Sequence, residues 1–263
     1  MLEDPRAERV CEEVELVRGT GDPLLGQLCV MSFVAYLAGE SHTDRPRCAS
    51  PVIRSMAVLV NDQMPSATRQ RLKVFAPRII GTRDGFDDAR ARMLGRAVHE
   101  EILPRADREM QQRPAPDRAR GRLGRLWTRL AKRALVGRIT AGLTVLAAGT
   151  EDDRVGELQE RIAEATAHLL ALCARDAPTD EDEAWYWDEA IGLLDRLCDI
   201  GAENRAAQVQ PERLQELGRI LDARRSETGP LRNDWAGPFD FGFLFPGITA
   251  TDKGRMGSIL PES

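Results

Sequence analysis

Ala38-Gly-Glu-Ser-His-Thr-Asp-Arg-Pro-Arg-Cys-Ala-Ser-Pro51 is the stretch around which the rest of the chain is organised. It opens near a glycine, a residue that commonly ends a helix, and closes with Ser50-Pro51, a helix cap followed by proline at the first helical position. Apolar residues with helical spacing flank it on both sides. The stretch therefore predicts a loop between two helices.

The same start and stop signals recur along the chain and predict an all-α fold, a bundle of about seven to nine helices. No segment before residue 230 shows sustained alternation of apolar and polar residues, the pattern of a strand. Proline at 104 is expected to end the helix that precedes it. The predicted helices cover 5–18, 22–39, 51–62, 65–81, 85–103, 118–148, 151–175, 181–200 and 211–225.

The predicted organisation is a helical domain, 1–228, followed by a tail, 229–263. A polar, proline-broken connector at 111–117 is a possible division of the domain into two subdomains. The tail is rich in glycine and proline, and four of its phenylalanines alternate along an extended segment, so all four point to one side. We expect the tail to dock on the helical domain or on a partner. The residues predicted to take part are Trp185, Trp187, Phe239, Phe241, Phe243 and Phe245.

Length and composition indicate an ordinary globular protein. The chain has 263 residues, of which 42% are hydrophobic and 30% charged. No run approaches the roughly 18 apolar residues of a membrane span, and the first residues lack the apolar core of a signal peptide. The five cysteines are odd in number and scattered, which favours reduced thiols and a cytoplasmic location.

Several short motifs of this chain resemble motifs in a family of hypothetical all-helical proteins from actinobacteria and phages. They are Ala38-Gly39-Glu40, Asp44-x-Pro46-x-Cys48-x-x-Pro51, Asn61-Asp62 and Ala76-Pro77-Arg78-Ile79-Ile80-Gly81. The resemblance covers about residues 24–200, and the aromatic tail lies outside it. It implies an all-helical fold. Because the family has no established activity, it implies no mechanism.

The 38–51 loop holds the densest set of possible metal ligands. Imidazole, thiolate and carboxylate are the groups that bind zinc, and three of them with a water would form a hydrolytic site. The alternative is structural, with Glu40 paired to a nearby arginine and with Asp44 and Ser50 accepting backbone N–H groups. No cofactor is predicted outright, and zinc is the possible one. The candidate ligands are Glu40, His42, Asp44, Cys48 and Asp62.

A basic helix is the second candidate site. Residues 118–138 carry eight Lys or Arg and no acid, so the rest of the chain carries −13, because the total is −5. Leu123, Leu126, Trp127, Leu130 and Ala134 fall on another side of this helix. Such a helix can bind nucleic acid or an anionic membrane, or it can be solvated or paired with the acidic segment 180–189. The predicted anion-binding stripe is Arg118, Arg122, Arg125, Arg129, Lys132 and Arg133.

The sequence thus favours a cytoplasmic helical interaction or accessory protein with a protein partner or a second copy of itself. Two alternatives stay open. One is a metal-dependent hydrolase that uses the 40–62 region, and the other is a nucleic-acid or anionic-membrane binder that uses the basic helix.

Overall fold

The computed structural model describes residues 5–112, 119–148, 154–204 and 209–227, with the backbone alone described at 5–8, 119–123, 125, 204 and 227. Nine α-helices of eight or more residues lie in this part of the chain, which confirms the all-α fold. Two four-residue helical segments complete the set. The helices are α1 Pro5–Glu13, α2 Val30–Leu37, α3 Pro51–Gln63, α4 Ser66–Arg69, α5 Ala76–Ile79, α6 Asp87–Ala97, α7 Leu103–Gln112, α8 Ala119–Ala147, α9 Val155–Arg175, α10 Asp180–Asp199 and α11 Pro211–Glu227.

Two of the predicted helix starts are confirmed by their caps. Ser50 Oγ accepts the backbone N–H of Ile53 at the start of α3, with Pro51 in the first turn. Thr179 Oγ1 accepts the N–H of Asp182 at the start of α10. Each side chain satisfies one of the N–H groups that a helix leaves without an internal partner.

The helix predicted over 22–39 is shorter than expected. Asp22 does cap a turn, but only the 3-10 turn Pro23–Leu25, which ends at Gly26 with φ of 63°. The chain then forms a small sheet from three two-residue strands, β1 Glu15–Leu16, β2 Gly21–Asp22 and β3 Gln27–Leu28. Strand β3 lies between β1, to which it is parallel, and β2, to which it is antiparallel. Strands this short carry no readable alternation.

Two other predicted helices are interrupted. The 65–81 helix is divided into α4, a 3-10 segment at Gln70–Phe75, and α5. The 85–103 helix becomes α6, a π turn at Val98–Ile102, and α7. The prediction that Pro104 ends the helix was wrong. Proline has no N–H to donate, and here it falls where the π turn has already changed the hydrogen-bond spacing.

The core is organised around α9, which packs against α3, α6, α8 and α10. Small residues on α9 allow this close approach; Ala163, Ala167 and Ala174 are buried. Gly142 of α8 serves the same purpose, since a Cβ there would lie 2.9 Å from the Ile162 side chain of α9. The described residues up to Ser226 form one compact unit.

The tail predicted at 229–263 and most of the connector at 111–117 lie outside the described residues, so the domain boundaries stay predictions. Within the described ranges, no helix is both long enough and apolar enough to cross a membrane.

Candidate functional site

The C-terminal end of α2 sets the direction in which the chain enters the 38–51 loop. Gly39 has a positive φ of 73°, a backbone conformation that residues other than glycine rarely adopt. Gly39 N donates to Tyr36 O, and Glu40 N donates to Ala35 O, at 3.1 and 2.9 Å. This pair of bonds is the Schellman arrangement, which satisfies two terminal carbonyls of the helix. It also turns the chain so that Glu40 faces back into its own loop.

The Glu40 carboxylate closes the loop by accepting two backbone N–H groups. Oε2 accepts from Arg47 N at 2.7 Å, and Oε1 accepts from Cys48 N at 2.9 Å. Burial alone would raise the pKa of Glu40, but these hydrogen bonds outweigh it, so its pKa is lowered. The predicted pairing of Glu40 with an arginine is therefore made through the Arg47 backbone rather than its guanidinium.

The second half of the loop is fastened to the segment before α6. Ser50 N donates to Thr82 Oγ1 at 2.8 Å, and Ser50 Oγ donates to Asp87. Arg83 N donates to Cys48 O at 3.2 Å. Ser50 is thus both the cap of α3 and a link between two loops that are far apart in sequence.

Arg90 lies at the centre of this network and is fully buried. Its guanidinium meets both oxygens of Asp84 at 2.7 Å. It also donates to Thr82 O at 2.9 Å, and to Leu197 O and Ile200 O at 3.2 and 2.8 Å. All five guanidinium N–H groups therefore have acceptors, and two of these are carbonyls at the C-terminus of α10. In the sequence Arg90 resembles the other arginines of its helix, and the only local signal is that Asp84-Gly85 and Asp87 precede it at turn and helical spacing.

Asn61 and Asp62 fasten the other end of α3. Asn61 is buried; its Oδ1 accepts from Val30 N at 3.2 Å, and its Nδ2 donates to Val17 O at 2.8 Å. Asp62 Oδ1 accepts from Gly19 N at 3.0 Å. Asn61 joins α3 to the start of α2, and both side chains join α3 to the segment between β1 and β2.

The structure separates the predicted metal ligands more than it joins them. Glu40 and Cys48 are adjacent, whereas Asp62 is eleven residues beyond Pro51, about 16 Å along α3. His42 is exposed and Asp44 half-buried. Among the residues with described side chains, no three His, Cys, Asp or Glu groups are close enough to hold a metal ion.

The Cys48 thiol has a pKa raised to about 12 by burial and by the neighbouring Glu40 carboxylate. Zinc binds the thiolate form of cysteine, and burial beside the Glu40 carboxylate disfavours that form. The zinc hypothesis for the loop stays a prediction. Of the contacts expected in the structural alternative, the structure shows the cap made by Ser50, while Glu40 accepts backbone N–H groups.

Glu40→Gln is expected to lower the free energy of unfolding by about 1–2 kcal/mol near neutral pH, because two hydrogen bonds to a charged acceptor are lost or weakened. Since folding lowers the pKa of Glu40, its contribution is full above the unfolded value of about 4.3 and disappears as the pH falls through the folded value. The difference between wild type and variant should therefore shrink below about pH 4. Urea unfolding across pH tests this, with Glu164→Gln on the exposed side of α9 as the control. A difference independent of pH would contradict the assignment.

Helix α8 has apolar side chains on two opposite sides. Leu135, Ile139 and Leu146 are buried against the core. The other side carries large apolar residues that remain open to solvent, and we call it the α8 face. It consists of Leu126 at 51% exposure, Trp127 at 63%, Leu130 at 47% and Val145 at 43%.

The basic stripe is divided by the structure. Lys132 is held by Asp176 at 3.1 Å and is largely buried. Arg129 and Arg133 are exposed along the edge of the α8 face, and Arg129 Nε donates to Met110 Sδ at 3.0 Å. Arg122 and Arg125 belong to α8, but their side chains, like the whole of Arg118, lie outside the described residues. The acidic segment 180–189 contributes ion pairs to arginines elsewhere, among them Asp188 with Arg71 and Glu189 with Arg196.

A small polar cleft lies between α7, α8 and α9, beside Lys132. It is lined by Ala106, Glu109, Met110, Thr128, Arg129, Lys132 and Asp176, and it encloses about 20 Å³, space for about one water molecule. Glu109 accepts the Tyr186 hydroxyl at 2.9 Å and the Arg105 Nε at 2.7 Å. The cleft is thus bordered by side chains that are bonded to one another, the Glu109 carboxylate and the Lys132–Asp176 ion pair.

The aromatic cluster at the start of α10 is largely covered by the helical unit itself. Tyr186 is fully buried, and Trp187 is 5% exposed. Trp185 is half-buried under the Arg105 guanidinium, 5.0 Å from its ring centre. The four phenylalanines predicted to dock on Trp185 and Trp187 lie outside the described residues, so tail docking stays a prediction.

The described part of the chain therefore offers two features beyond the core: a loop network centred on Arg90, and the α8 face with its arginine edge. Comparisons with protein families, with curated proteins and with solved structures give no match.

Proposed function

We propose that this chain is a helical interaction or accessory protein and that the α8 face is its binding surface. The observation that carries the proposal is the exposure of Trp127, Leu126 and Leu130 together on one helix. Large apolar side chains clustered on a surface mark sites of association, whereas single ones need no explanation. Tryptophan and arginine are also the residues that contribute most energy at interfaces.

The remainder of the described structure supports this role. The opposite side of α8 is anchored in the core through Leu135, Ile139 and Leu146, so the face is presented on a rigid element. The cytoplasm is the proposed location. In the part of the chain that the structure describes, all five cysteines are free, and four of them are buried, as expected of thiols kept reduced.

A binding panel with matched variants tests the proposed surface. Purified full-length chain is assayed for self-association, for binding to anionic vesicles and for binding to duplex and single-stranded nucleic acid. The test variant replaces Leu126, Trp127 and Leu130 with glutamine and is called the face variant. Because these side chains are exposed, its melting temperature and helix content should stay close to those of wild type.

The proposal is supported if binding to any of these ligands is lost in the face variant and kept in Leu24→Gln. This control changes a leucine in the Pro23–Leu25 turn that is more exposed, at 77%, than the leucines of the face. It is wrong if the panel shows no binding, or if every interaction found is unaffected by the face variant.

A further inference from the structure

We infer that the partner of the α8 face is an anionic lipid surface, on which α8 lies parallel to the membrane plane. This inference rests on the proposed function, since it names the ligand of the same surface. It is carried by the shape of the apolar stripe together with the charge that borders it.

The apolar stripe is long and straight. Trp127 and Val145 are eighteen residues apart, which is five full helical turns, so they lie on the same side of α8, about 27 Å from each other. Leu130, Ala134 and Ala141 are also exposed, and they lie on this side of α8 between Trp127 and Val145. A straight stripe on a single helix matches a flat surface, because an interfacial helix buries its apolar side about 5–10 Å into the headgroup and acyl boundary.

Charge borders the stripe. Helix α8 carries seven Lys or Arg and no Asp or Glu, while the whole chain has a net charge of −5. Arg129 and Arg133 are exposed and lie at helical positions along one margin of the face. From there the apolar stem of Arg133 can follow the membrane boundary while its guanidinium reaches the headgroups. Arg129, whose Nε donates to Met110 Sδ, adds positive charge to the same margin.

The same features fit nucleic acid less well. Phosphates would engage Arg129 and Arg133, and Trp127 could stack on a base. Leu126, Leu130 and Val145 would still face water or a charged backbone, although they are three of the four large apolar residues of the α8 face. A lipid surface is the ligand that uses the leucines and the arginines together.

Vesicle co-sedimentation of the full-length chain tests the inference. Vesicles of about one-third phosphatidylserine in phosphatidylcholine are compared with phosphatidylcholine alone at physiological ionic strength. We expect binding to the anionic vesicles only, and loss of it in the face variant. Arg129→Glu combined with Arg133→Glu should weaken binding about 25-fold or more, since each cation near the surface contributes about fivefold. Leu24→Gln and Arg161→Glu, an exposed arginine on α9, should bind like wild type.

The depth of insertion gives a second readout. Brominated lipid chains should quench the fluorescence of wild type more than that of Trp127→Phe, because Trp127 enters the acyl boundary. Anionic vesicles that fail to bind, or that bind the face variant equally well, overturn the inference. If the face variant then abolishes self-association or nucleic-acid binding, the proposed function survives with a different ligand; if it abolishes neither, both fail.

Discussion

Replacing Arg90 with methionine is expected to lower the free energy of unfolding by about 3–5 kcal/mol, the largest effect anticipated for a polar side chain in this protein. For a unit of this size the melting temperature should fall by about 6–20 °C. The reason is the position of the guanidinium, which is fully buried and joins the 82–84 turn to the end of α10. Its loss removes the Arg90 hydrogen bonds from Asp84 and from the carbonyls of Thr82, Leu197 and Ile200.

Lysine at position 90 should recover only part of this loss. It keeps the charge but offers three donors from one nitrogen, where the site uses five from a planar fork. Arg96→Met changes an exposed arginine on the same helix and should stay within about 0.5 kcal/mol of wild type. Denaturant unfolding of the three variants decides the point. An Arg90→Met protein as stable as Arg96→Met would show that the network does not hold the loop and α10 together.

Asn61→Ala is expected to cost about 2–4 kcal/mol, because the N–H of Val30 and the carbonyl of Val17 each lose their partner in a covered position. The side chain is buried at 0% exposure and bridges α3 to α2 and to the residue after β1. We expect lower thermal stability together with faster amide hydrogen exchange in the 15–30 region, since that region is held to α3 by these bonds.

The neighbouring residue provides the matched control. Asp62→Asn keeps an acceptor for Gly19 N and should change stability by less than about 1 kcal/mol. If Asp62→Asn were as damaging as Asn61→Ala, or if it alone abolished binding of added zinc, the carboxylate would have a role beyond the turn at Gly19.

Much of the fold could be predicted from local signals. Ser50-Pro51 and Gly39 marked the loop because a cap and a positive φ are satisfied within a few residues. The long helices α8, α9 and α10 follow from sustained helical spacing, and their bounds agree with prediction to within a few residues. The convergence of the loop's possible ligands stays a prediction; the contacts that the structure shows there are those of Glu40 with backbone N–H groups.

The candidate site depended on what the chain packs against. A buried Arg90 cannot be distinguished from an exposed one by its neighbours in sequence, because its acceptors at Leu197 and Ile200 are more than a hundred residues away. The two-residue strands could not be predicted for a related reason. They are too short to show an alternation of apolar and polar residues, and only their pairing in the folded chain identifies them as strands.

Helix α8 shows the same division. Its sequence determined that it is a helix with apolar residues on two sides and a run of basic residues without acids. Tertiary structure decided which apolar side is buried. Helix α8 packs against α9 and α6 with Leu135, Ile139 and Leu146 buried, and Trp127, Leu126 and Leu130 remain in solvent. Local sequence fixes which residues share a side of a helix, whereas the free energy of burial is gained only by the side that a neighbouring element reaches.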